Sequence, residues 1–353
     1  MKETYHIKGV LLIFALITFS IYFPVPAPAA DTSPGSIALY EGADREQRLI
    51  QNAKKEGSLT FYSTMPAGDG KVVAGDFEKK YGIKVNIWRA SANDVMQRAL
   101  TEGAANRFEW DILNASAPEL EVLYREKQLQ PVNSPYFKDL IPGSVAPQKE
   151  WTAVYYNVIV QAYNTLKVKK DELPRSYQDL LHPRWKGRLG VEEKAQEWFA
   201  AVVQRMGEEK GLKFFRELVA KNGLSARSGT SLLHNLVVAG EIPLALNVYS
   251  YMPMDAKAEK ASVDWFVIEE PAIARANGVC ISKKAPHPHA ALLFYDYMIT
   301  EAQTFLGKTR RVVATRKIES PLKGVKIQIL DPAAVVDGYD KWTKLFEDVL
   351  KGK

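Results

Sequence analysis

From residue 57 onward, short apolar runs alternate with longer stretches whose apolar positions recur at helical spacing. Leu59, Phe61 and Tyr62 mark a strand over residues 59–62, and a helix over 72–81 is stopped by Gly82. A strand at 83–88, a helix at 94–102, a strand at 110–113 and a helix at 118–127 follow, the last with Pro118 in its first turn. Ahead of this series, residues 44–55 read as a polar helix closed by Gly57. Strands separated by single helices predict βαβ units, and hence a parallel sheet with right-handed crossovers.

A second block repeats the alternation. Residues 152–163 form a β-rich stretch too long for one ordinary strand, and 189–191 a short one. Helices are expected at 208–222 and 231–239, ended by Gly223 and Gly240, and strands at 242–248, 263–268 and 278–282. One long amphipathic helix is expected over 289–306. No Pro/Gly/Ser-rich linker separates the blocks, which suggests lobes joined by crossing strands, the first near Tyr155, Tyr156 and Asn157.

The length of 353 residues exceeds one compact core and agrees with two lobes. One cysteine excludes an intramolecular disulfide framework and a Cys-based structural zinc site. The net charge of +6 is dispersed, with no basic arm for nucleic acid. At the N-terminus, Lys2 and Lys8 precede an apolar run over 10–23, and Ala27, Ala29 and Ala30 supply small residues for cleavage. That is the pattern of a secretory signal peptide over residues 1–30. An uncleaved anchor is the alternative, although Pro24, Pro26 and Pro28 break its last third as a helix. The expected location is therefore periplasmic.

In open parallel sheets, ligands bind beyond the carboxyl ends of the strands, where helix N-termini offer free N–H groups. The expected turns carry Ser63 and Thr64, Arg89 and Ser91, and Asn114 and Ser116 in the first block. In the second they carry Glu192, then Gly229, Thr230 and Ser231, then Asn247 and Tyr249. Each Ser, Thr or Asn also reads as a plain helix cap. Their recurrence at most of the predicted strand ends favours a shared cleft. Tyr155 and Tyr156 are a tempting metal pair, but their β-branched neighbours favour strand packing or a hinge. His287 and His289 flank Pro288 at a helix start and read as capping or exposed residues rather than metal ligands.

Several segments together resemble the bacterial extracellular solute-binding proteins of ABC importers, in the branch that includes the ferric-iron-binding proteins. They include Gly57-Ser58-Leu59-Thr60-Phe61-Tyr62-Ser63, Phe77-Glu78-Lys79-Lys80-Tyr81-Gly82-Ile83-Lys84-Val85, Trp110-Asp111-Ile112-Leu113 and His182-Pro183-Arg184-Trp185-Lys186-Gly187-Arg188. Gly240-Glu241-Ile242-Pro243-Leu244 and Lys284-Ala285-Pro286-His287-Pro288-His289-Ala290-Ala291 continue the series in order. The resemblance implies an α/β, two-lobed periplasmic-binding-protein fold, each lobe a mostly parallel sheet flanked by helices and joined to the other by hinge strands. It places one lobe at 31–153 plus 273–325 and the other at 154–272 plus 326–353. It further implies a monomer that needs no cofactor and delivers a small molecule to a permease in the inner membrane.

The ferric chemistry of that branch transfers poorly. Ferric-binding relatives use two adjacent tyrosines, usually with a histidine and a glutamate. By motif position the pair falls on Tyr249 and Ser250, the glutamate near Ala115, and the histidine near Met65 and Pro66. Tyr249 is thus the one retained ligand, with Tyr251 or Glu192 as substitutes that the spacing does not demand. A small organic or phosphorus-containing anion is the expected solute, ferric iron the alternative, and cationic or neutral solutes the remainder. The sequence lacks a His-Glu-x-x-His helix, a nucleophile elbow, a P-loop and a dinucleotide fingerprint, so a carrier is favoured over an exported enzyme or a sensing module.

Overall fold

The computed structural model describes Met1 and residues 34–352. Apart from Met1, the expected signal peptide lies outside the described residues. Helices α1 (Pro34–Ala38) and α2 (Arg45–Glu56) lead into strand β1 (Ser58–Ser63). Helix α3 (Ala67–Tyr81), β2 (Lys84–Arg89), α4 (Ala92–Ala104), β3 (Ile112–Ser116) and α5 (Ala117–Arg125) complete the first α/β run. Gly82 closes α3 at φ 71°, a left-handed conformation that costs glycine little.

Short β4 (Leu129–Gln130) precedes the long β5 (Thr152–Asn164). The second run holds β6 (Leu189–Glu192), α6 (Gln196–Met206), α7 (Glu208–Asn222), β7 (Ser225–Arg227) and α8 (Thr230–Ala239). It continues with β8 (Leu244–Tyr249), α9 (Tyr251–Ala258) and β9 (Val263–Phe266). The chain returns along β10 (Ala272–Ser282) to α10 (Pro288–Met298), α11 (Ala302–Lys308) and β11 (Val312–Val313). It ends with β12 (Ile327–Ile329) and α12 (Pro332–Leu350).

The sheet order β2-β1-β3-β10-β5-β8-β6-β7 explains the two blocks. Strand β1 pairs β2 and β3 in parallel, and β6 pairs β7 and β8 in parallel, as the sequence alternation predicts. Between them, β5 and β10 run antiparallel to each other and to the strand beside each. The expected crossing at Tyr155–Asn157 lies in β5, and β10 is the return strand. The register shifts at Asn277/Gly278. A Cβ on Gly278 would lie 2.7 Å from the Thr152 carbonyl oxygen, so only glycine lets the two strands approach this closely.

Three expected boundaries change. The helix expected over 289–306 is two helices, because the Thr300 hydroxyl donates to the Asp296 carbonyl (2.6 Å) and draws that carbonyl into the end of α10. Asn114 and Ser116, expected in a turn, belong to β3, whose far edge pairs with β10 (Asn114 opposite Val279). Asn247 and Tyr249 likewise belong to β8, extended by pairing of Val248 and Tyr249 with Val160 and Ile159. Two hydrophobic cores back the sheet. One is built around Phe61, Phe77 and Phe294, the other around Trp198, Phe199, Phe215 and Phe346. Cys280 is fully buried, as an apolar strand residue should be.

Candidate functional site

The first block spends its expected ligand groups on local structure. Ser63 is buried and its Oγ accepts the Met65 N–H (3.1 Å), while Arg89 Nε donates to the Met65 carbonyl (3.1 Å). Thr64 reaches the Asn114 Oδ1 at 3.5 Å. The Asn114 amide is turned into the sheet, donating to Asn277 Oδ1 (2.6 Å) and the Gly278 carbonyl (2.9 Å). Ser91 is exposed and caps α4, accepting the Asp94 N–H (3.3 Å) and donating to the Asp94 carboxylate (2.7 Å). Ser116 is buried at the N-cap position of α5. His287 and His289 stand at the start of α10, bound to Asp111 and Glu56 at 2.9 and 2.7 Å.

The second block is knit into one unit. Asn247 Oδ1 accepts the Glu192 N–H at 2.9 Å. The Glu192 carboxylate in turn accepts the N–H groups of Lys194 (2.9 Å) and Gly229 (3.2 Å), just ahead of α8. Thr230 opens that helix and is half-buried; Ser231 beside it is exposed. Burial pushes the Glu192 carboxyl up, with the two N–H groups opposing. Because Oδ1 is taken, the Asn247 Nδ2 must face the other way, and it is buried there without a hydrogen-bond partner. Asn247 and Tyr249 are two apart on β8 and so project to the same face of the sheet.

Tyr249 leads to residues that sequence reasoning missed. Its hydroxyl oxygen accepts from Arg275 Nη2 at 2.7 Å, and Arg275 Nη1 pairs with Glu197 at 2.8 Å. Arg275 comes from β10, so the crossing strand places a guanidinium beside the end of β8. Its one legible signal was a lone charged residue in a largely apolar segment. The Tyr249 ring stacks on Tyr251 (centroids 6.2 Å, 19°), and Arg311 lies 4.5 Å over Tyr251 and 5.6 Å over Tyr155. Arg311 is only 5% exposed and pairs with Asp69 of α3 at 2.6 Å. Burial raises all three phenols above the usual tyrosine range, opposed at Tyr249 by Arg275 and at Tyr155 and Tyr251 by Arg311. All three therefore stay protonated near neutral pH.

Glu119, in the first turn of α5, shares the field of Arg275 and Tyr249. It also lines an open cavity of about 760 Å³, within the range of small-molecule sites. The walls come from both blocks: Asn93, Pro118 and Glu119 from the first, Glu193, Lys194 and Gln196 from the second, and α12 along one side.

Two parallel blocks joined by antiparallel crossing strands, with an open cavity between helix ends of both, define a solute-binding protein of two lobes. A family model for bacterial extracellular solute-binding proteins matches residues 111–312, and the chain belongs to that family. It is 27% identical over 286 residues to iron uptake protein A1 of Synechocystis sp. (76% of this chain, 78% of that protein). Similarity to an Fe(3+)-binding periplasmic protein of Serratia marcescens is 23% over 225 residues, 63% of this chain and 65% of that protein. Among solved structures, iron-bound HitA from Pseudomonas aeruginosa superposes with a TM-score of 0.72 at 23% identity, covering 83% of this chain and 99% of that one. AfuA from Actinobacillus pleuropneumoniae, with fructose-6-phosphate bound, gives 0.71 at 20% identity, covering 84% and 99%. The same fold thus serves iron in one neighbour and a phosphorylated sugar in the other.

Proposed function

We propose that this protein captures a small solute through an anionic group held by Asn247, Tyr249 and Arg275, and hands it to the membrane permease of an ABC importer. The observation that carries this reading is the unpaired, buried Nδ2 of Asn247 beside the Tyr249–Arg275 pair. A buried donor without a partner costs roughly 1–3 kcal/mol, and a carboxylate, sulfonate or phosphonate oxygen would relieve it. The Tyr249 oxygen already accepts from Arg275, so its proton is also available to an acceptor. Thr230 and Ser231, at the start of α8, would add backbone N–H groups.

The lobes in this reading are residues 31–153 with 273–325 and residues 154–272 with 326–353. Contacts from both to one solute are what would favour a closed form. Export by the signal peptide and cleavage near residue 30 would place the protein in the periplasm, acting as a carrier and not an enzyme. The remaining expected ligands of the first block, Ser63, Thr64, Arg89, Ser91, Asn114 and Ser116, would act by shaping the cleft wall.

Ferric iron is the second reading, favoured by the iron-binding relatives and by the Glu119 carboxyl near Tyr249. Against it, each phenol cluster holds a guanidinium, and a trivalent cation would have to displace protons that burial retains. A thermal-shift screen of phosphonates, sulfonates, carboxylates, amines and ferric citrate tests the choice. At a ligand concentration of 100 times Kd the stabilisation is about 2.7 kcal/mol, a shift of several degrees. Shifts by the simple anions are expected; a shift by the ferric compound alone would overturn the reading.

A further inference from the structure

We infer that ionic clasps draw the two lobes together before any solute arrives, each an arginine of the first lobe on a carboxylate of the second. This rests on the lobe division proposed above and adds what holds the closed form. Three ion pairs cross that division. Arg310, between α11 and β11, pairs with Asp255 of α9 at 2.5 Å. Arg125, at the end of α5, pairs with Asp337 of α12 at 2.5 Å. Arg275 of β10 pairs with Glu197 of α6 at 2.8 Å. In all three the cation stands on the first lobe and the anion on the second. Arg311 of the first lobe follows the same rule, its guanidinium 4.5 Å over the Tyr251 ring of α9.

The partners are anchored to their own lobes. Helix α12 packs Trp342 and Phe346 on Phe199 of α6, with ring centroids 6.2 and 4.7 Å apart. Its Lys341 also binds Glu208 of α7 at 2.7 Å, so Asp337 moves with the second lobe. Helix α9 is tied to β9 through Lys257 and Asp264 at 2.7 Å. On the other side, Arg125 is braced by Glu121 of its own helix at 2.8 Å. Arg275 sits on the crossing strand, where its pair with Glu197 is largely sheltered from water. The two outer pairs are half-exposed, and salt screens such pairs. Asp337 also lines the open cavity whose walls come from both lobes, so its bond to Arg125 ties those walls together. A larger closed fraction raises the apparent affinity for a solute that binds the closed form by the same factor.

Small-angle X-ray scattering of the purified, ligand-free protein tests the inference. The compact form is expected in about 20 mM salt, with a radius of gyration of roughly 20 Å. Raising the salt to about 0.5 M, or combining Arg125→Ala with Arg310→Ala, should increase that radius by on the order of 1 Å. Arg310→Asp should open the protein as well, and adding Asp255→Arg to it should restore the compact form. A swap that leaves the protein expanded would overturn the pairing. Propylphosphonate should recompact the variant that lacks both arginines. If propylphosphonate compacts the unaltered protein while salt and the variants do not expand it, the clasps fall and the moving lobes stand. Expansion that propylphosphonate does not reverse would support the clasps and count against the anion reading. A radius that none of these treatments changes would overturn both.

Discussion

Arg275 donates to the phenol oxygen of Tyr249 at 2.7 Å, and this one bond joins the crossing strand β10 to the end of β8. It fixes which way the Tyr249 proton points and leaves it for a ligand. Arg275 is held in turn by Glu197 at 2.8 Å, so the guanidinium is positioned before any solute arrives. Preorganised donors of this kind lower the cost of binding.

Tyr249→Phe keeps the ring and removes the hydroxyl. Loss of one charge-supported hydrogen bond predicts an affinity for phosphonate about 10-fold weaker, with far-ultraviolet circular dichroism unchanged. Calorimetry on the two proteins checks it. Equal affinity would mean that the hydroxyl does not touch the solute.

Asn247→Asp exchanges the free donor for an acceptor while keeping an oxygen for the Glu192 N–H. Anion binding should fall by well over 10-fold, further than in Asn247→Ala, because a carboxylate then faces the anion. An aspartate variant that binds as well as the alanine variant would remove Asn247 from the site.

Arg310 and Arg311 are neighbours with different expected costs. Arg310 pairs with Asp255 of α9 at 2.5 Å, both side chains being about two-fifths exposed, so Arg310→Ala should cost no more than about 1 kcal/mol. Arg311 is buried and its partner Asp69 is only 17% exposed, so Arg311→Ala leaves a mostly buried carboxylate unpaired at a cost of roughly 2–3 kcal/mol, below the roughly 3–5 kcal/mol of a fully buried pair. Denaturant melts should separate the two variants clearly; similar midpoints would refute this reading of the pair.

Burial raises the Glu119 carboxyl above its ordinary value of 4.5. The folded state therefore prefers the proton, and this preference supports folding fully only below pH 4.5. It is lost as the pH rises through the raised value. Glu119→Gln should accordingly raise the melting temperature of the ligand-free protein at pH 7, by on the order of 1–2 °C, and the gain should shrink towards pH 4. A gain independent of pH would contradict the assignment.

Much of the frame was legible in the sequence because it obeys local rules. The parallel strands beginning at 58 and 84 were marked by apolar runs, and the helix ends at Gly57, Gly82 and Gly240 by glycine. The long β5 was visible as a continuous β-rich run. The site was less legible, since its residues meet only through β10, whose antiparallel pairing with both β3 and β5 has no local signature. That pairing draws Asn114 into the sheet and brings Arg275 to Tyr249. It also explains why Glu119, Glu197 and Arg311 escaped notice: each is an ordinary charged residue until a distant strand or helix end is set beside it. Helix α12, unforeseen in the sequence, completes the cavity wall.

The phenol of Tyr249 serves either as a hydrogen-bond donor to an anion or as a phenolate ligand to a metal. Visible absorption on adding ferric iron to the anion-free protein decides between them. No charge-transfer band is expected, while propylphosphonate raises the melting temperature of the same sample. A ferric band that disappears in Tyr249→Phe, with no response to the phosphonate, would contradict the account.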